Sequence, residues 1–287
     1  MQTRRSALKQ LAAAGTALAM PSTAPASEPP IVHGRIQQSI VPWCFKPMTV
    51  PELAEHAAAM KFRSVELCPP EHWPRLKELG LTCAIASSHG FARGFAQPDQ
   101  HDECIALLRE RIEQCAAHGV ERVITFSGFR KGLSDEVAMK NTVAGLKKIL
   151  PFAEEKKVTL CLEMLNSRVN IEMKGHPDYF CDDLERSVEI CRQIGSERMK
   201  VLFDIYHVQI MHGDIITRLR QHFPYIAHVH TAGVPGRGEI DDTQEINYRP
   251  LMQTLVELGY RGYVGQEFIP VRDKVASLRE AAVLCDV

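Results

Sequence analysis

Hydrophobic and polar positions along this chain follow two alternating rhythms. Short apolar or β-branched runs at residues 36–43, 64–67, 82–87, 122–126, 158–163, 200–204, 225–229 and 263–268 have the length and composition of buried strands. Longer amphipathic stretches at 50–60, 73–79, 99–118, 136–156, 179–194, 213–221, 248–258 and 273–285 have helical spacing. Gly80, Gly119, Gly195 and Gly259 directly follow four of the helical stretches, where a C-terminal cap favours positive φ. Repeated strand-then-helix units without a long structureless insert predict one α/β domain over 31–287, a parallel (β/α)8 barrel of the TIM type. An open doubly wound sheet is the alternative.

The tips of the strands favour the barrel. Trp43, Glu66, His89, Phe126, Glu163, Asp204, His230 and Glu267 stand at or just past the ends of the apolar runs, and most of them are ionisable. Only a closed barrel brings all such ends to one mouth, so that residues distant in sequence become neighbours.

Residues 1–27 read as an export signal rather than as part of the fold. Arg4-Arg5 begins a twin-arginine pattern, 11–20 is a weakly apolar alanine-rich run, and Ala24-Pro25-Ala26 offers a small-residue cleavage site. That apolar run is too short for a permanent anchor, so no stable membrane insertion is expected. The expected location is periplasmic or exported, or cytoplasmic if the leader is not used. Formal net charge is −1, and without Arg4, Arg5 and Lys9 the chain has 31 basic against 35 acidic residues, which argues against nucleic acid as a partner. Nine cysteines without a Cys-x-x-Cys spacing, several within apolar runs, are expected to be buried free thiols.

Four strand ends carry the candidate chemistry. Strand alternation puts Cys161 and Glu163 together on one face of their strand, and likewise His228 and His230 on one face of theirs, with His230 nearer the mouth. Asp204 ends an apolar run, with His207 three residues on, and Glu267 ends the last run before Pro270. Taken singly, each has an ordinary structural reading: a salt bridge for Glu163, a cap or core role for Asp204 and His207, and a packed core imidazole for His228. Three carboxylates meeting at one mouth repel one another unless a cation stands between them. Glu163, Asp204, His230 and Glu267 form an oxygen-rich set with one nitrogen. Such a set favours one divalent metal, Mg²⁺ or Mn²⁺ foremost with Co²⁺ or Zn²⁺ as further candidates, over a thiolate zinc site. A metal-free acid/base cluster with one protonated carboxyl is the alternative.

At these motifs the chain resembles the hydroxypyruvate isomerase family, within the xylose-isomerase-like barrels. The resemblance rests on Leu162-Glu163-x-Leu165-Asn166, Phe203-Asp204-Ile205-Tyr206-His207, Val234-Pro235-Gly236-Arg237, Glu245-Ile246-Asn247-Tyr248 and Gly262-Tyr263-Val264-Gly265-x-Glu267-Phe268. It implies a metal held by Glu163, Asp204, the residue at 230 and Glu267, and an isomerase whose two glutamates, Glu163 and Glu267, move the proton. The family typically has glutamine where this chain has His230, whereas the related ketose 3-epimerases have histidine, so a 3-epimerase remains an alternative. A non-catalytic ligand-binding barrel is a third. The expected partner is a small hydroxy-carbonyl substrate, with a homo-oligomer left open. Arg237 is placed to grip a substrate carboxylate through its planar fork, and His207 to hydrogen-bond the oxygen that gains or loses a proton. The structural alternative for Arg237 is an ion pair with Glu239, Asp241 or Asp242. His89 is a further candidate to line the mouth beside Trp43.

Overall fold

The computed structural model describes residues 29–287, so the leader predicted over 1–27 lies outside the described residues. Seven parallel strands form one sheet: β1 (Gln37–Ile40), β2 (Ser64–Val65), β3 (Arg122–Thr125), β4 (Thr159–Glu163), β5 (Met199–Asp204), β6 (Ile226–Thr231) and β7 (Tyr263–Gln266). Their order is β2-β1-β7-β6-β5-β4-β3, so the first and last strands in sequence are neighbours and the sheet curls.

Residues 82–86 close the gap between β2 and β3. Val65 N donates to Thr82 O at 3.1 Å and Leu67 N to Ile85 O at 2.9 Å on one side. On the other, Ala86 N donates to Arg122 O at 2.9 Å and Ile124 N to Ala86 O at 3.0 Å. The eighth strand read from sequence is therefore present as isolated bridges rather than as a regular strand. Its ladder is interrupted because Ala84 N donates to the hydroxyl of Ser64, at 2.8 Å, in place of a strand carbonyl.

Helices cover the barrel: α1 (Val50–Ala59), α2 (Trp73–Glu78), α3 (His101–His118), α4 (Asp135–Glu155), α5 (Leu184–Ile194), α6 (Ile205–Met211), α7 (Ile215–His222), α8 (Tyr248–Glu257) and α9 (Lys274–Cys285). Thr49 and Glu52 form a reciprocal capping box at the start of α1. The four glycines expected to end helices have φ of 73–74°. Two boundaries differ from the pattern. The stretch 179–194 becomes helical only at Leu184, because Asp183 caps that turn and Tyr179 is committed to the barrel wall, its hydroxyl accepting from Ser127 N and donating to Glu163 O. Helix α6 follows β5 directly, without a loop. All nine cysteines are buried and free, as expected of thiols that fill a large core. Among the described residues, no helix is long and apolar enough to cross a membrane.

Candidate metal centre and active site

Parallel strands deliver their C-terminal ends to one mouth, and there the structure assembles Glu163 from β4, Asp204 from β5, His230 from β6 and Glu267 just beyond β7. One ligand atom from each of the four lies within 4.8 Å of the others, and all four side chains are buried. Two carboxylates at that separation repel by roughly 3–4 kcal/mol at an effective dielectric near 20. Three cannot remain ionised together without compensation.

The local fold aims each group. Asp204 caps α6: its Oδ1 accepts from Tyr206 N at 2.8 Å and His207 N at 3.3 Å. The cap fixes the carboxylate and leaves Oδ2 with no hydrogen-bond partner among the described residues, 3.6 Å from both His207 Nε2 and Arg237 Nη2. His230 Nε2 lies 2.7 Å from Glu66 Oε1. On the opposite side of the ring, Nδ1 lies 3.0 Å from Glu267 Oε2 and 3.6 Å from Glu163 Oε1, without hydrogen-bond alignment to either.

Protons take up the repulsion in the ion-free state. Burial, with a further push from Glu267, raises Glu163 to about 7, and burial raises Asp204 to about 6 although Arg237 opposes it. For Glu267 the upward effect of burial is outweighed by His230 and Arg237, which hold it well below the usual carboxylate range. Burial lowers His230, yet the carboxylates around it prevail and keep it well above an ordinary imidazole. The residues fit a divalent cation: carboxylate oxygens with one imidazole nitrogen, of which Asp204 Oδ2 and His230 Nδ1 are buried and unpaired. Loss of the Nδ1 proton from His230 and of the proton held near Glu163 would free all four as ligands.

His207 and Arg237, also predicted site residues, border the cluster. The Nδ1 of His207 accepts from Asn166 N at 3.0 Å and faces the Asn166 amide nitrogen at 2.7 Å, which leaves Nε2 to carry the proton. Burial and the nearby Arg237 hold this imidazole well below its ordinary pKa, so it is a neutral donor. Arg237 donates from Nη2 to Glu267 Oε2 at 2.6 Å and from Nη1 to Met173 O at 2.6 Å, and its guanidinium sits 5.2 and 5.4 Å from the rings of Trp43 and Tyr206. The sequence-local acids are not its partners, since Glu239 and Asp241 instead meet Arg272.

His89 is not brought to the cavity. Its ring nitrogens are taken by Gly90 O and Thr125 Oγ1, both at 3.1 Å, and the ring packs edge-on against Phe95 and Phe126. Its neighbours Ser88, Gly90 and Phe91 line the cavity. The cavity, about 200 Å³, is also walled by Trp43, Met173, His176 and Arg237, with Glu163 and Glu267 reaching into it. Trp43 Nε1 donates to Glu267 Oε1 at 3.1 Å. Sequence reasoning missed His176 and Met173, which lie on the long segment between β4 and α5. Its mixed polar and apolar order follows no period from which to place them. It also left Glu66 out of the site, although Glu66 stands at a strand tip.

A buried oxygen-rich cluster at the C-terminal mouth of a curled parallel sheet defines an α/β barrel able to hold a divalent metal. The family model described as "Xylose isomerase-like TIM barrel" matches residues 54–284. The 2-oxo-tetronate isomerase of Cupriavidus necator is 32% identical over 227 residues, 75% of this chain and 85% of that protein. A putative hydroxypyruvate isomerase of Homo sapiens is 30% identical over 233 residues, 79% of this chain and 77% of that protein. Among solved structures, an AP endonuclease, family 2, from Brucella melitensis superposes with a TM-score of 0.74 at 24% identity, over 85% of this chain and 97% of that one. A D-psicose 3-epimerase superposes with a TM-score of 0.67 at 15% identity, over 86% and 90%. At these identities the structures establish the fold alone. The chain belongs to the xylose-isomerase-like TIM barrel family and is related to the hydroxypyruvate and 2-oxo-tetronate isomerases.

Proposed function

We propose that this protein is a divalent-metal-dependent isomerase of short hydroxy-keto acids, of the type that interconverts hydroxypyruvate and tartronate semialdehyde. The observation that carries this reading is the convergence of Glu163 and Glu267, two buried glutamates from different strands, on one small cavity that Arg237 also borders. The related 2-oxo-tetronate and hydroxypyruvate isomerases support the substrate class.

In the forward direction the hydrogen at C3 leaves as a proton to one glutamate, the C2 carbonyl becomes part of an enediolate, and the other glutamate returns a proton to C2. The hydroxyl at C3 loses its proton as the new aldehyde forms and the former C2 carbonyl oxygen gains one as it becomes a hydroxyl, so atoms balance without an external oxidant. His207, neutral and with its Nε2 proton free, is the donor for the oxygen that gains charge. Arg237 supplies a planar cation for the substrate carboxylate, held in place between Trp43 and Tyr206. A divalent ion on Glu163, Asp204, His230 and Glu267 would add Lewis-acid stabilisation of adjacent oxygens. The bordering apolar side chains Phe91, Phe126 and Met173 limit water around the exchanging proton.

A cavity of about 200 Å³ is small for a ligand pocket and suits three or four carbons better than a hexulose. Histidine at 230 is the observation that favours the second reading, a ketose 3-epimerase, which would use the same two glutamates on one carbon. Incubation of the Mn²⁺-loaded protein in D₂O with hydroxypyruvate, its four-carbon homologue and hexuloses separates them by NMR. Exchange at carbon with the short acids is expected. Exchange with hexuloses alone would replace the proposal with the epimerase, and exchange with none would leave a binding barrel.

A further inference from the structure

Below the four-donor cluster lies a carboxylate that the reaction does not use. Glu66, just past β2, is fully buried, and its Oε1 lies 2.7 Å from His230 Nε2 and 2.9 Å from His228 Nε2. These are lengths of charge-assisted hydrogen bonds. An ionised carboxylate only accepts, so each imidazole must keep a proton on Nε2 to satisfy it. For His230 the consequence reaches the cluster, because the ring nitrogen left over is Nδ1, the one that faces Glu163 and Glu267.

The barrel wall is shaped around this pair. Gly265 on β7 stands in register with His230 on β6 and Ser39 on β1, so its backbone is fixed on both sides. A Cβ at that position would lie 2.5 Å from Glu66 Oε1 and 2.8 Å from His230 Cδ2, closer than atoms can approach.

We propose that Glu66 is a positioning residue that retains the Nε2 proton of His230 and thereby presents Nδ1 to the divalent cation, with His228 clamping the same carboxylate oxygen from below. The inference rests on the metal-site reading of the four-donor cluster. It deepens that reading by assigning Glu66 and His228, which would otherwise be an isolated buried ion pair. Ligand-binding histidines are commonly oriented by a carboxylate on their second nitrogen, and loss of that partner costs about 10–100-fold in metal affinity.

Two measurements on the full chain test this, with Mn²⁺ and Zn²⁺ alone as probes. Calorimetric titration of the metal-stripped protein is expected to give one Mn²⁺ per chain. Glu66→Gln should keep that stoichiometry and bind more weakly by roughly tenfold or more. Affinity within twofold of wild type would overturn the proposal. So would a second Mn²⁺ per chain that Glu66→Gln abolishes, because Glu66 would then be a ligand itself. Should that variant fail to fold, ¹⁵N-histidine NMR of the wild-type protein loaded with Zn²⁺ decides: a proton on His230 Nε2 is expected, and a proton on Nδ1 with a bare Nε2 would overturn the assignment. A wild-type protein that takes up neither ion refutes the metal-site reading as well, which distinguishes the two failures.

Discussion

Gly265→Ala is the smallest change that tests how tightly the barrel interior is built under the cluster. The added methyl meets Glu66 Oε1 at 2.5 Å, Glu66 Cδ at 3.0 Å and His230 Cδ2 at 2.8 Å. None of these is the free end of a flexible side chain, since both partners are fully buried and bound to each other. Strand β7 cannot retreat without losing register with β1 and β6. Overpacking of this kind costs about 1–3 kcal/mol, and the loss of one hydrogen bond to a charged group adds about 1.5–3 kcal/mol. For a domain of this size about 1 kcal/mol moves Tm by roughly 2–4 °C, which makes a fall of roughly 5–20 °C the expectation. Differential scanning calorimetry of the metal-stripped protein measures it, and Mn²⁺ titration of the same sample should show weaker binding. A fall of less than about 2 °C with unchanged Mn²⁺ affinity would refute the argument, because the wall would then have slack that the geometry denies.

Three further outcomes follow from the same structure. Glu163→Gln and Glu267→Gln should each slow carbon–hydrogen exchange by about a hundredfold or more while leaving the far-ultraviolet dichroism unchanged, and full exchange in either would end the two-glutamate proposal. Mn²⁺ affinity should climb with pH between about 5 and 8 and binding should release protons, because Glu163 near 7 and Asp204 near 6 must ionise first; an affinity flat across that range would contradict the cluster. Asp182 accepts from Arg130, Arg186 and Ser167, and burial, which alone would raise its pKa, is outweighed by these partners, so its folded pKa lies below the unfolded value of about 3.9. Its contribution is therefore present above pH ~4 and lost as pH falls through the folded pKa. The gap in urea midpoint between wild type and Asp182→Asn should be widest near neutrality and close on acidification, whereas a constant gap from pH 7 to 3 would show that charge is not its origin.

Much of the barrel and of the four-residue cluster was legible because strand position carries them. Glu163, Asp204, His230 and Glu267 each stand where a buried apolar run meets the mouth, so the eight-unit rhythm alone brings them together. What escaped was pairing across the barrel. Glu66 was visible as an acid at a strand tip, but its partners lie 162 and 164 residues away, and only the closed sheet joins them. Arg237 similarly had three acids nearby in sequence, yet its carboxylate partners are Glu267, 30 residues on, and Asp204, from β5. His89 occupies a strand tip like the four clustered residues and differs in how its nitrogens are satisfied, by Gly90 and Thr125, which no periodicity reports. Helix α6 was hidden for a local reason: Asp204 is at once a cluster member and a helix cap, and an Asp-x-x-His spacing does not distinguish the two roles.

The central claim is that Glu163, Asp204, His230 and Glu267 together hold one divalent ion. Pulsed electron paramagnetic resonance of the metal-stripped protein titrated with Mn²⁺ tests it most directly, because it counts both the ions and the imidazoles bound to them. One tightly bound Mn²⁺ per chain is predicted, coupled to a single imidazole nitrogen that disappears in His230→Gln. No tight Mn²⁺ uptake, or coupling to two imidazoles, would contradict the account.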